Sequence, residues 1–149
     1  MKNTSTVWVS VARYAQAAIF LVFGLNGFLH FLPTPPMPDA AGQFAMALFG
    51  TGYMFPLIKG TEVIVGIALL SNRFVPLALT VIAPIIVNIV AFHLFLAPAG
   101  LAIPLLLVVL ELFLAWSYRS AFAPLLRSTA TPTPRSVQAD AREPVGVNA

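Results

Sequence analysis

Apolar residues in this chain gather into four long runs, with polar residues confined to the ends of the runs and to a few interior positions. A bilayer core of about 30 Å takes roughly 20 mostly apolar helical residues, so each run is a predicted span. The first covers about residues 14–32, is preceded by Arg13, and is closed by Pro33-Thr34-Pro35-Pro36-Met37-Pro38, which cannot continue a helix. The second, about 55–70, is shorter and carries Lys59 and Glu62. The third covers about 74–97, with Pro76 and Pro84 inside it, and the fourth about 101–118, with Pro104 in its first turn where a missing N–H is harmless. Between spans one and two, Asp39 is placed to cap a short helix over Ala40–Phe49, with Gly50 and Gly52 after it. Its Phe44, Met46, Leu48 and Phe49 predict a position in the membrane interface.

The first run is too long for the apolar region of a secretory signal, and no small-residue cleavage site follows it, so it reads as a retained span. From about Ser128 to Ala149, prolines alternate with Ser, Thr, Ala and mixed charges, which predicts disorder because too little apolar surface offsets chain ordering. The expected organisation is a cytoplasmic segment 1–13, a four-helix transmembrane domain 14–120 and a disordered cytoplasmic tail 121–149.

Composition strengthens this picture. Of the 149 residues, 59% are hydrophobic and only 9% charged, and mean hydropathy is +0.91. A soluble domain carries about a quarter charged residues, so a soluble globular enzyme is excluded. The net charge is +3, yet the basic residues sit at the ends of apolar runs instead of forming the stripe that nucleic-acid binding requires. The chain has no cysteine, which removes thiolate catalysis, disulfide exchange and iron–sulfur ligation.

Orientation follows from the basic residues. With the N-terminus in the cytoplasm, Lys2, Arg13, Arg73, Arg119, Arg127, Arg135 and Arg142 all fall inside, and the outer loops hold no Lys or Arg. Trp8, Tyr14, Trp116 and Tyr118 then form an aromatic belt at the inner surface. The predicted fold is therefore all-α: a multi-pass four-helix bundle of a bacterial cytoplasmic (inner) membrane, with both termini cytoplasmic.

Polar and ionisable side chains in a membrane helix are costly, the ionisable ones by a few kcal/mol or more, so each marks a candidate site. Here they are Asn26 and His30 on span one, Lys59 and Glu62 on span two, Asn88 and His93 on span three, and Glu111 on span four. With Arg13, Arg73 and Arg119 as inner-surface markers and about 1.5 Å of rise per residue, Asn26, Lys59 and Asn88 come out at about 20–22 Å. Glu62 lies at about 16 Å, His30 at about 25 Å, His93 at about 30 Å and Glu111 at about 12 Å. Asn26 and His30 share a helix face, as do Lys59 and Glu62 with Gly66, whereas Asn88 and His93 differ by about 140°.

Four chemistries fit these residues. In the plainest, Lys59 and Glu62 form an intrahelical ion pair while Asn26 and Asn88 fasten helices together. In the second, the cluster holds a quinone-like head group, with His, Lys or Asn donors on one side, a proton-exchanging acid, and walls from Phe23, Phe28, Phe31, Phe92 and Phe95. In the third, His30 and His93 ligate a haem, although their heights differ by about 5 Å and no other His is present. In the fourth, Glu62 and Glu111 mark a proton-coupled path, for which four spans would need a second copy of the chain. No self-contained catalytic motif and no metal-ligating set is evident.

Three stretches resemble the DoxX family of small four-helix bacterial membrane proteins: Ala12-Arg13-Tyr14 through Phe23-Gly24-Leu25-Asn26-Gly27, Thr61-Glu62-Val63-Ile64-Val65-Gly66-Ile67-Ala68-Leu69-Leu70 leading to Arg73, and Asn88 to His93. The resemblance covers about residues 11–120, and its most specific part is Glu62 to Leu70. It implies a four-helix membrane fold and association with redox enzyme subunits, as in a quinone-linked thiosulfate oxidoreductase or a membrane partner of oxidative-stress enzymes; distant relatives act as assembly factors. By the resemblance, Glu62 and His93 match the polar positions of spans two and three, and Arg13 the basic residue opening span one. The absence of cysteine removes any thiol relay. The resulting expectation is an accessory or quinone-associated subunit of a membrane redox complex. Glu62 would accept protons, Lys59 would pair with it, Asn26, His30, Asn88 and His93 would supply hydrogen bonds, and Glu111 would form a deeper polar site. The alternative is a non-catalytic membrane scaffold or assembly factor.

Overall fold

A computed structural model describes residues 4–33 and 36–129 of the chain. The predicted tail lies largely in 130–149, outside the described residues, as do Lys2, Arg135 and Arg142. The described residues are helical, with no strand: α1 (Thr4–Leu29), α2 (Asp39–Gly50), α3 (Met54–Leu70), α4 (Val75–Phe95), a 3-10 turn (Pro98–Gly100), α5 (Ala102–Ser117) and a one-turn α6 (Arg119–Phe122).

α1 and α4 are long and apolar enough to cross a bilayer. α2 and α3 meet at a 91° bend and together pass as one further broken span or re-entrant unit. α5 is equally apolar, but its 16 residues rise only about 24 Å. Outward faces are largely apolar: Ile64, Val87 and Leu112 are each about two-thirds exposed, and Phe95 and Trp116 more so. The charged and amide side chains of Arg13, Gln16, Glu62 and Glu111 are instead buried. That distribution suits lipid outside and polar contacts inside.

The core runs along the inner faces of α1, α3, α4 and α5, with Phe20, Leu69, Leu79, Ile82 and Leu114 fully enclosed. The most extensive helix pairing is α1 with α3. Glycines set its closeness: a Cβ at Gly66 would come within 3.2 Å of the Leu21 backbone nitrogen, and one at Gly24 within 3.1 Å of the Val63 nitrogen. Small residues let two membrane helices approach backbone to backbone, where dispersion contacts replace the absent hydrophobic drive.

α1 begins ten residues before the predicted start at Tyr14 and ends at Leu29, which moves Arg13 from the edge of a span to the middle of a helix. There it is 4% exposed, and its guanidinium donates to the carbonyl of Leu69 and, at 3.3 Å, to that of Leu70. The last carbonyls of a helix lack intrahelical partners, and a cation is favoured beside them. Arg13 is therefore a clamp on the C-terminus of α3.

Asn26 explains the other end of α1. Its carbonyl accepts the N–H of His30 at 2.9 Å, and its side-chain Oδ1 accepts the N–H of Leu32 at 2.6 Å. His30 stands at φ 52, the left-handed geometry that commonly ends helices. The interfacial segment forms α2 close to its predicted bounds, but Asp39 is the first residue of the helix and Pro38 stands at its cap. At the opposite end of the bundle, Tyr118 donates to Asn72 at 3.4 Å, joining the α3–α4 turn to the end of α5. Chain beyond residue 120 continues as helical turn, with Phe122 packed on the core.

Candidate functional site

The polar stripe of α3, Lys59, Glu62 and Gly66, is laid along α1. Lys59 Cγ lies 2.5 Å from where a Cβ at Gly27 would stand, Glu62 Cβ lies 3.1 Å from the same point at Gly24, and Gly66 meets Leu21. Only glycine on α1 leaves room for the lysine stem. The Lys59 ammonium donates to both carboxylate oxygens of Glu62, at 3.0 and 2.8 Å. Glu62 is 2% exposed and Lys59 21%, so the acid faces the bundle interior while the lysine reaches outward.

Two apolar cavities lie on either side of this pair. The inner one, about 250 Å³, opens between α1, α4 and α5 and includes Phe20, Phe23, Glu62, His93, Gly100 and Leu107 in its walls. The second, a groove of about 380 Å³, lies between the α2–α3 bend and α4 and takes in Phe44, Phe55, Lys59, Asn88, Phe92 and His93. A tilted Phe44–Phe92 contact and a stacked Phe49–Phe55 pair hold α2 over the groove. Ligand sites are mostly apolar concavities with a few convergent polar groups, and both cavities have this make-up.

His93 belongs to both. Its Nδ1–H donates to the carbonyl of Ile89 at 2.8 Å, one turn earlier. The roughly 140° between Asn88 and His93 thus has a structural meaning: Asn88 faces only the groove, and His93 stands between groove and inner cavity.

The remaining sequence-predicted residues are elsewhere. Asn26 is committed to ending α1. His30 is exposed in the loop after it and lines neither cavity, so the two histidines do not face one common space. Among the described residues no group of three His, Asp or Glu side chains could hold a metal ion. Glu111 is buried against α1, where Gln16 Nε2 donates to its Oε2 at 2.6 Å. Eight residues separate Gln16 from Gly24, which faces Glu62, so the two acids lie about 12 Å apart along α1. Phe20 and Leu107, each one turn from that lower pair, form the floor of the inner cavity.

Gln16 was not singled out from the sequence. It is fully buried, and its Oε1 has no hydrogen-bond partner. The signal was present in the spacing Arg13, Gln16, Phe20, Gly24, one inward stripe at steps of three and four. Gln16 lies inside the predicted span, but starting that span at Tyr14 cut Arg13 from the stripe and left Gln16 as an isolated amide.

No family model, curated protein or solved structure matches the chain.

Proposed function

We propose that this chain is a DoxX-like, four-span protein of a bacterial inner membrane that holds a quinone-type head group and serves as an accessory subunit of a redox complex. The observation that carries the reading is the Lys59–Glu62 pair, which stands between two apolar cavities that share His93. A quinone supplies two-electron, two-proton chemistry when bound. The residues fit such a group: Lys59 keeps one ammonium N–H beyond the two given to Glu62, Asn88 lines the same groove, and phenylalanines provide flat walls. Glu62 and His93 are the groups able to exchange protons with it.

Topology supports the same reading. Arg73, Arg119 and Arg127 lie towards the end where α1 begins and α5 ends, whereas the described loops at the other end, 30–33, 36–53 and 96–101, hold neither Lys nor Arg. By the positive-inside rule the former end is cytoplasmic. α3 and α5 are short for about 30 Å of hydrocarbon, a mismatch that local bilayer thinning accommodates.

A second reading has its own support: Lys59 and Glu62 also fill the glycine gaps of α1, as residues fastening a scaffold would. Asn88→Leu, in the groove that would take the quinone carbonyl, separates the two. The quinone reading expects a folded bundle that has lost binding of a decyl-tailed benzoquinone, measured in nanodiscs. A folded variant with undiminished binding rejects it. A variant that binds quinone normally when folded but melts earlier or releases its protein partner supports the scaffold.

A further inference from the structure

His93 donates Nδ1–H to Ile89, and a carbonyl can only accept, so Nδ1 carries the hydrogen. In the neutral ring the other nitrogen, Nε2, then presents a lone pair. That edge is turned towards Gly100: a Cβ there would come within 3.0 Å of Nε2 and 2.7 Å of Cδ2. Among the described residues no side chain or backbone group donates to Nε2. His93 and Gly100 both line the inner cavity.

Glu62 is the other polar side chain in that cavity, and a carboxylate is also an acceptor. Every remaining lining side chain is aliphatic or phenylalanine. The inner cavity therefore offers two acceptors from different helices and no side-chain donor. The groove on the far side, which His93 also borders, differs in having side-chain donors, Lys59 and Asn88. A carbonyl oxygen placed beside Glu62 and His93 would be desolvated without a partner, whereas a hydroxyl would be satisfied.

We infer that the inner cavity is a site for a lipid-soluble phenol, the hydroquinone form of the ligand, distinct from the carbonyl-accepting groove. This rests on the quinone reading above and divides its two redox forms between two cavities on opposite sides of one ion pair.

The test uses the full-length protein in nanodiscs and three probes: a decyl-tailed benzohydroquinone under reducing conditions, the matching benzoquinone, and the hydroquinone dimethyl ether. The hydroquinone is expected to bind about tenfold tighter than the ether, the worth of one satisfied hydrogen bond. Ile103→Trp, which fills the inner cavity alone, is expected to abolish hydroquinone binding and spare the quinone; Ala45→Trp, in the groove, is expected to do the opposite. Hydroquinone binding that matches the ether, or that is lost with Ala45→Trp and not with Ile103→Trp, overturns the inference while leaving quinone binding intact. Failure of every probe to bind overturns the quinone reading itself. A readout independent of ligand is available because the chain has only two histidines. ¹⁵N-histidine spectra, assigned with His30→Gln, should show His93 protonated at Nδ1 and bare at Nε2; a proton on Nε2 overturns the inference.

Discussion

Gln16 and Glu111, 95 positions apart in the chain, meet through a 2.6 Å hydrogen bond that ties α1 to α5 one turn beneath the inner cavity. The bond satisfies half of a buried amide and leaves Gln16 Oε1 without a partner, so removing either side chain has an asymmetric cost. Gln16→Leu strands the Glu111 carboxyl and is expected to destabilise the bundle by about 1–3 kcal/mol. The double variant Gln16→Leu/Glu111→Leu removes both polar groups and should regain most of that loss. Thermal unfolding in one detergent, run as a double-mutant cycle, checks this; additive losses would mean the pair does not act as a unit.

Lys59 compensates a carboxylate that is 2% exposed. Lys59→Met leaves that charge buried and alone, a change that costs on the order of 3 kcal/mol. Lys59→Met/Glu62→Leu should be more stable than Lys59→Met. If the single variant melts like the parent, Glu62 draws its compensation from elsewhere.

The Arg13 clamp on α3 predicts a graded series. Arg13→Met loses charge-assisted bonds to the Leu69 and Leu70 carbonyls, worth about 1.5–3 kcal/mol, while Arg13→Lys keeps the charge but not the planar fork and should fall between. Amide exchange at Ser71–Arg73 reports the effect locally, since those N–H groups bond back to Ile67, Leu69 and Ala68. Equal exchange in all three proteins would show that the clamp contributes nothing.

His30 occupies a left-handed position and lines neither cavity, so His30→Gly should stabilise the protein by roughly 0.5–1 kcal/mol with probe binding unchanged. Loss of binding in that variant would bring His30 back into the site.

Because the chain lacks cysteine, single introduced thiols map its topology cleanly. Ser71→Cys is expected to react with an impermeant maleimide in inside-out vesicles, and Ala99→Cys in right-side-out spheroplasts. Labelling of both from one side would refute four spans.

The apolar runs make the helices legible in the sequence, because a long apolar run has few ways to satisfy its backbone other than within a helix. Thus α3, α4 and α5 start and stop within one or two residues of the predicted bounds, apart from the two residues cut from the end of α4 by the Ala97 break. The start of α1 was misplaced for a definite reason. Arg13 looks like a boundary charge in one dimension, but a guanidinium can stay inside a bundle when a helix terminus offers it carbonyls.

The sequence by itself determined that the chain is helical, strongly apolar and sparing with charge, and that Lys59 and Glu62 lie on one face of one helix; each follows from local period and composition. Only tertiary structure decided which polar residues share a space. It set Glu62 with His93 on one side and Lys59 with Asn88 on the other, withdrew Asn26 into a helix end, and supplied Glu111 with Gln16. Those pairings depend on how close and at what register helices distant in sequence can pack, and here that is set by the glycines of α1 and by Gly66, whose effect exists only once a second helix is against them.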